Sequence, residues 1–149
     1  MKQGLFILTL LIVSSLLAAC SGGVAQPESA QAQPVALIFQ AQSNDENAVT
    51  VEVTPLNLPQ GGSSLDFEVA FNTHSVELNF DPAAISVLRD DQGHEYPALV
   101  WEGSGPTGHH RSGTLRFQVF NHPSDFVEVV IRNLAGVSER VFRWSLTEE

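Results

Sequence analysis

The chain is predicted to fold as an all-β protein, an antiparallel β-sandwich of 7–8 strands occupying residues 35–149, and three features of the sequence lead there. Apolar residues recur at every second position, the period of a pleated strand with one buried face rather than of a helix. Those residues are largely valine and phenylalanine, whose branched or flat side chains suit a pleated surface. Clusters of Asn, Asp, Gly and Pro separate the runs, as the reversals of an antiparallel chain require.

Each run follows the same logic. Val49, Val51 and Val53 alternate with Thr50 and Glu52, and Leu65, Phe67, Val69 and Phe71 with Asp66, Glu68 and Ala70. Val76, Leu78 and Phe80 repeat the pattern, as do Leu115, Phe117 and Val119 around Arg116 and Gln118. Val127, Val129 and Ile131 come next, then Phe142, Trp144 and Leu146. The turns are expected at Asn44 to Asn47, Pro59 to Gly62, Asn72 to Ser75, Asp81-Pro82, Asp90 to Gly93 and Asn121 to Ser124. Only Pro82-Ala83-Ala84 suggests a helical turn. With no long helical pattern and no internal repeat, two packed layers of short strands are the expected way to bury one face of each run.

Ahead of the strands the character changes. Lys2 supplies a minimal positive start, and Leu5 to Leu17 form an apolar stretch of signal-peptide length, short for a membrane span. The stretch closes on Leu17-Ala18-Ala19-Cys20, which resembles a bacterial lipobox. The resemblance implies that residues 1–19 are a lipoprotein signal peptide and that Cys20 becomes the acylated first residue of the mature chain. An uncleaved anchor helix or a free core cysteine is the alternative. Ser21 after the cysteine, rather than Asp, implies the outer membrane of a Gram-negative cell. Residues 20–34, rich in Ser, Gly, Ala, Gln and Pro, read as a flexible tether reaching on the order of 20 Å. The expected location is therefore extracytoplasmic, on the periplasmic face of the outer membrane in a diderm cell and at the cell surface otherwise.

A second resemblance covers most of the region from Thr50 to Leu146. Phe67-Glu68-Val69 with Asn72, the stretch Val87 to Tyr96 with its Leu-x-Asp-x-x-Gly-x-x-Tyr spacing, and Gly113-Thr114-Leu115-Arg116-Phe117 resemble the telokin-like Ig domains of bacterial lipoproteins. Thr73 to Leu78 and Gly108 to Gly113 are similar to uncharacterised secreted bacterial proteins. Membership would imply a non-catalytic, Ig-like domain and assigns no site.

The net charge of −10 is unevenly spread. From Cys20 to Leu88 there are acids and no Lys or Arg, and every arginine lies from Arg89 onward. That balance argues against nucleic acid and against tight electrostatic binding to anionic lipid, both of which favour basic patches. With Cys20 acylated and Met1 removed, the mature chain has neither a free thiol nor a thioether. Disulfides and sulfur-ligated metals are then excluded, leaving imidazole and carboxylate as ligands for any metal.

Five histidines in this acidic body are the candidates for such chemistry. If every connection reverses the chain, one end collects His74, His94 and His122 with Asp45, Glu46, Asp90, Asp91 and Asp125. His74, His94, His122, Asp91 and Asp125 are the expected metal ligands, for Zn²⁺ or Cu²⁺ through imidazole or Ca²⁺ through oxygen. Turn capping or simple hydration is the competing role. Should Leu65 to Phe80 be one bent strand, His74 leaves this end. His109, His110 and Arg111, flanked by glycines, form a candidate ligand-binding loop in which Arg111 can receive an anion or a partner's carboxylate; a mobile polar hairpin loop is the alternative. Tyr96 and Trp101 are expected in the core or a hairpin.

No nucleophile elbow, phosphate loop or HExxH helix is present, and Gly103-Ser104-Gly105 lacks the outer positions of Gly-x-Ser-x-Gly. The expected function is a non-catalytic binding or envelope-assembly module. Its partners would be the membrane, through acylated Cys20, and another envelope protein, with no cofactor. A periplasmic metal-binding lipoprotein is the alternative, and a small hydrolase a more distant one.

Overall fold

The computed structural model describes residues 39–58 and 62–147. Cys20, the expected signal peptide and the tether lie outside the described residues. Eight strands follow in chain order: β1 (Gln42–Glu46), β2 (Val49–Pro55), β3 (Ser64–Thr73), β4 (Ser86–Asp90), β5 (Glu95–Gly103), β6 (His110–Gln118), β7 (Phe126–Leu134) and β8 (Val137–Ser145). They form one continuous sheet in the order β1-β2-β3-β6-β5-β4-β7-β8, with every neighbouring pair antiparallel. The all-β, antiparallel expectation is met. Both β3-β6-β5-β4 and β6-β5-β4-β7 have the order of a Greek key, so two such units overlap.

β5 is the strand about which the sheet turns. Glu95 to Pro97 pair with β4, whereas Ala98 to Gly103 pair with β6, and the register shifts between Ala98 and Val100. An extra residue in one strand of a pair bends it and increases its twist. The inward set accordingly runs Tyr96, Ala98, Trp101, skipping one place, and Leu99 is left 59% exposed. The sheet curls until its edge strands approach, giving a nearly closed barrel. Side chains close the seam. The Gln42 amide bonds the backbone N–H and carbonyl of Arg143, and the Trp144 indole N–H donates to the Gln40 carbonyl at 2.8 Å.

The period of two predicted from the sequence fills the interior. Val49, Val51 and Val53 of β2, Phe67, Val69 and Phe71 of β3, Leu115 and Phe117 of β6 and Val127, Val129 and Ile131 of β7 are fully buried. Phe67 sits centrally, with its ring 5.8 Å from that of Phe117 and 5.5 Å from that of Trp144. Burying each such side chain contributes about 1.5–3 kcal/mol. Two-residue turns with positive φ at both positions, Asn47-Ala48 and Ala135-Gly136, join β1 to β2 and β7 to β8. This is the geometry whose twist matches that of the flanking strands.

Two segments depart from the sequence expectation. Asn44 to Glu46 belong to β1, and the turn begins only at Asn47. Val76 to Phe80 alternate like a strand yet form none. Leu78 is buried there, and its carbonyl and that of Phe80 accept hydrogen bonds from the Arg111 guanidinium at 3.0 and 2.6 Å. An arginine thus takes the acceptors that a neighbouring strand would have used. Residues 74–85 consequently make one connection at a single end of the sheet.

All six arginines have partners. Arg89 and Arg143 hold the buried carboxylate of Glu128, Arg116 pairs with Asp66 and Glu102, and Arg132 with Glu95 and Glu139. Burial pushes the Glu128 carboxyl up, but the two guanidinium groups outweigh it and hold it below the usual range. Arg111 and Arg140 point inward and bind backbone carbonyls.

Candidate metal centre

β4 reads buried, partly buried, buried, partly buried, buried, so Ser86, Leu88 and Asp90 share the inward face. Asp90 therefore ends the strand with its side chain fully buried at the rim of the core. Its Oδ1 accepts the backbone N–H groups of Gln92 and His94 at 2.9 and 2.8 Å, and Gly93, at φ +81°, completes the turn into β5. A turn closed on the Asp side chain in this way fixes the carboxylate plane.

Oδ2 faces three groups. His94 Nδ1 lies at 3.0 Å, the Tyr96 hydroxyl at 3.0 Å and His122 Nε2 at 3.1 Å. His94 comes from the β4–β5 turn, Tyr96 from β5 and His122 from the β6–β7 connection. The His122 ring stacks on Phe120, which in turn packs against Tyr96. Among the described residues, Asp90, His94 and His122 form a group whose ligand atoms all lie within 4.8 Å of one another. Asp90 is buried, His122 half-buried and His94 60% exposed at its side chain, so the cluster opens to solvent on the His94 side.

Proton placement gives the site its character. His122 Nδ1 lies 3.0 Å from the Pro123 carbonyl, an acceptor, which assigns a proton to Nδ1; the Gln92 amide is more distant, at 3.5 Å. In the neutral ring Nε2 is then a lone pair, and it looks at the carboxylate Oδ2 and at a Tyr96 hydroxyl that donates to the same oxygen. In that tautomer two electron-rich atoms converge on one point, an arrangement that either a second proton on the ring or a metal cation relieves.

The Asp90 carboxyl is held at about 2. Burial pushes it up, and the N–H of His94, the Tyr96 hydroxyl, the His94 ring and the N–H of Gln92 together pull it down further. A carboxyl whose folded value lies below its unfolded value of 3.8 stabilises the fold above that value and loses the contribution as pH falls towards 2. The expected loss is roughly 2 kcal/mol. Urea unfolding of the metal-free protein at pH 6, 4 and 2.5 checks it. The stability of Asp90→Asn should change less across that window, and parallel curves for the two proteins would refute the assignment.

The predicted site residues divide between the two ends of the sheet. Because residues 74–85 form one connection, His74 stands at the opposite end from His94 and His122, beside His110, with ring centroids 6.3 Å apart. The nine residues of β6 between His110 and the His122 connection span about 30 Å. His74 therefore does not join His94 and His122, and the expected ligand set is corrected on that point. Asp91 and Asp125 lie at the His94 end, but they face one another: the Asp125 N–H donates to Asp91 Oδ2 at 2.9 Å, tying the two loops together. Asp90, absent from the expected ligand set, takes the central place.

Of the candidate loop His109-His110-Arg111, His110 and Arg111 belong to β6 and His109 directly precedes it. Arg111 is 3% exposed, donates to the carbonyls of Leu78, Phe80 and Ser104, and lies against the rings of Phe80 and Trp101, so it is not offered to an external anion. His110 Nδ1 is 2.9 Å from Asn72 Oδ1, and His109 Nε2 is 4.0 Å from Glu77. No helix among the described residues is long and apolar enough to cross a membrane.

No protein-family model, no curated protein and no solved structure matches this chain.

Proposed function

We propose that the protein is a lipid-anchored, extracytoplasmic binding or envelope-assembly module, non-catalytic, held to the membrane through an acylated Cys20. The observation that carries this reading is the quartet Leu17-Ala18-Ala19-Cys20 at the end of an apolar run, followed by a Ser-Gly-Gly and Gln/Pro-rich segment. Two or more acyl chains anchor a protein far more firmly than one. The strand-built body supports the reading as a water-exposed cargo, since Arg89, Arg116, Arg132 and Arg143 are each paired with acids. The finer description of the body, two antiparallel layers sharing β5 in the manner of an Ig-like sandwich, is supported by the overlapping Greek keys. The pairing of β2 with β3 departs from Ig order, where the second and third strands lie in opposite layers.

Mass spectrometry of the N-terminus of protein taken from the membrane fraction tests the anchor. The mature chain is expected to start at Cys20 and to carry the mass of its acyl chains, and Cys20→Ser is expected to leave the membrane fraction or retain its leader. A native chain that starts at Met1, without fatty acid and in the soluble fraction, would overturn the proposal.

A further inference from the structure

We infer that Asp90 Oδ2, His94 Nδ1 and His122 Nε2 form a binding site for one borderline divalent cation, Zn²⁺ or Cu²⁺, with the fourth position open to solvent beside His94.

The donor set is the first reason. Two imidazole nitrogens and one carboxylate oxygen suit Zn²⁺ and Cu²⁺, whereas Ca²⁺ and Mg²⁺ favour oxygen alone. The geometry is close to what such an ion needs. Bonds of about 2.0–2.1 Å in a tetrahedron place ligand atoms roughly 3.3 Å apart. The two nitrogens stand 3.0 and 3.1 Å from Asp90 Oδ2, and the whole set lies within 4.8 Å. Seating an ion thus asks the two nitrogens, which stand no more than 4.8 Å apart, to settle at about 3.3 Å, a movement that the exposed His94 ring can supply.

The supporting contacts are the second reason. Metal-binding imidazoles usually donate their other ring N–H to a carbonyl or carboxylate, and ligating carboxylates are themselves hydrogen-bonded. His122 Nδ1 meets the Pro123 carbonyl, Asp90 Oδ1 is fixed by two backbone N–H groups, and the Tyr96 hydroxyl donates to Oδ2. Tyr96 is a positioning residue here. The third reason is the approach of His122 Nε2 to Asp90 Oδ2 at 3.1 Å, which sets an imidazole nitrogen and a carboxylate oxygen at the spacing of two ligands on one ion.

The second histidine cluster offers less. Around His74, His110 and Asn72 the side chains are exposed, and the contacts are ordinary hydrogen bonds between surface groups.

The test uses the full chain in detergent, purified without a histidine tag and stripped with chelator. Isothermal titration with Zn²⁺ and, separately, with Cu²⁺ is expected to give one ion per chain. His94→Ala and His122→Ala should each weaken affinity at least about tenfold, and His74→Ala should leave it unchanged. His94 is exposed enough that its variant should fold, which circular dichroism of the metal-free form checks. The paramagnetic resonance spectrum of the Cu²⁺ form should show nitrogen couplings that are reduced in either site variant. Binding of neither ion, or binding that survives both variants and is lost in His74→Ala, would overturn the inference.

Discussion

Replacing Arg140 with methionine is expected to lower stability by about 3 kcal/mol, although the new side chain is apolar and the site is buried. Arg140 is 1% exposed and shares the inward face of β8 with Phe142 and Trp144. Its guanidinium donates to the carbonyls of Val49 and Glu46 at 2.9 and 2.7 Å and to the Asn44 side chain. Burial disfavours its charge, and the nearby acids Glu46 and Asp45 oppose that effect. Exchanging a whole buried ion pair for hydrophobic residues is often neutral, because both charges leave together. Here two of the partners are main-chain carbonyls that no substitution removes, so methionine would leave them unpaired. Arg140→Lys should not rescue, since one ammonium cannot reproduce a planar fork reaching separate acceptors. Urea denaturation measures the loss, and hydrogen exchange should show it concentrated in β1 and the first half of β2. A methionine variant within about 0.5 kcal/mol of the parent would show that Arg140 does not hold the seam.

Gly113→Val is expected to cost about 3 kcal/mol by a different route. Gly103 and Gly113 face each other across β5 and β6, and the Trp101 indole lies over both. A Cβ on Gly113 would stand 2.5 Å from Gly103 Cα, 2.6 Å from the Glu102 carbonyl oxygen and 2.8 Å from the indole. Two of those neighbours are backbone in a paired ladder and have no rotamer to adopt, so the strands must separate. Trp101 fluorescence should report the displaced ring. Gly105→Ala is the control: a Cβ there meets nothing within 4 Å, and its effect should stay below about 0.5 kcal/mol. Equal effects at both glycines would rule out close strand approach as the reason for Gly113.

The same alternation that made the strands legible also carried information beyond its apolar members. Reading onward from Leu88 places Asp90 indoors, reading back from Phe142 does the same for Arg140, and reading back from Leu115 for Arg111. A reading that stops at the last apolar residue leaves Asp90 and Arg111 in loops, and it favours Asp91 over Asp90 as a ligand. The approach of His94 to His122 was legible because β5 and β6 between them reverse the chain an even number of times. The position of His74 was not, because it depends on whether Val76 to Phe80 is a strand. That is decided by the distant guanidinium of Arg111, an interaction with no local signature in the sequence.

Mechanical load gives the seam a further meaning. β1 is an edge strand whose only backbone ladder is with β2, and its first paired residue, Gln42, sits at the open end of that hairpin, opposite Val53. Tension arriving through the chain ahead of Phe39 would open this ladder rung by rung from Gln42 toward Glu46, rather than shearing all of it at once. The clasp of Arg140 on Asn44 and Glu46 lies part-way along that path. Peeling would therefore first break the contacts of Gln40 and Gln42 with β8 and then stall at the guanidinium, leaving the rest of the barrel intact.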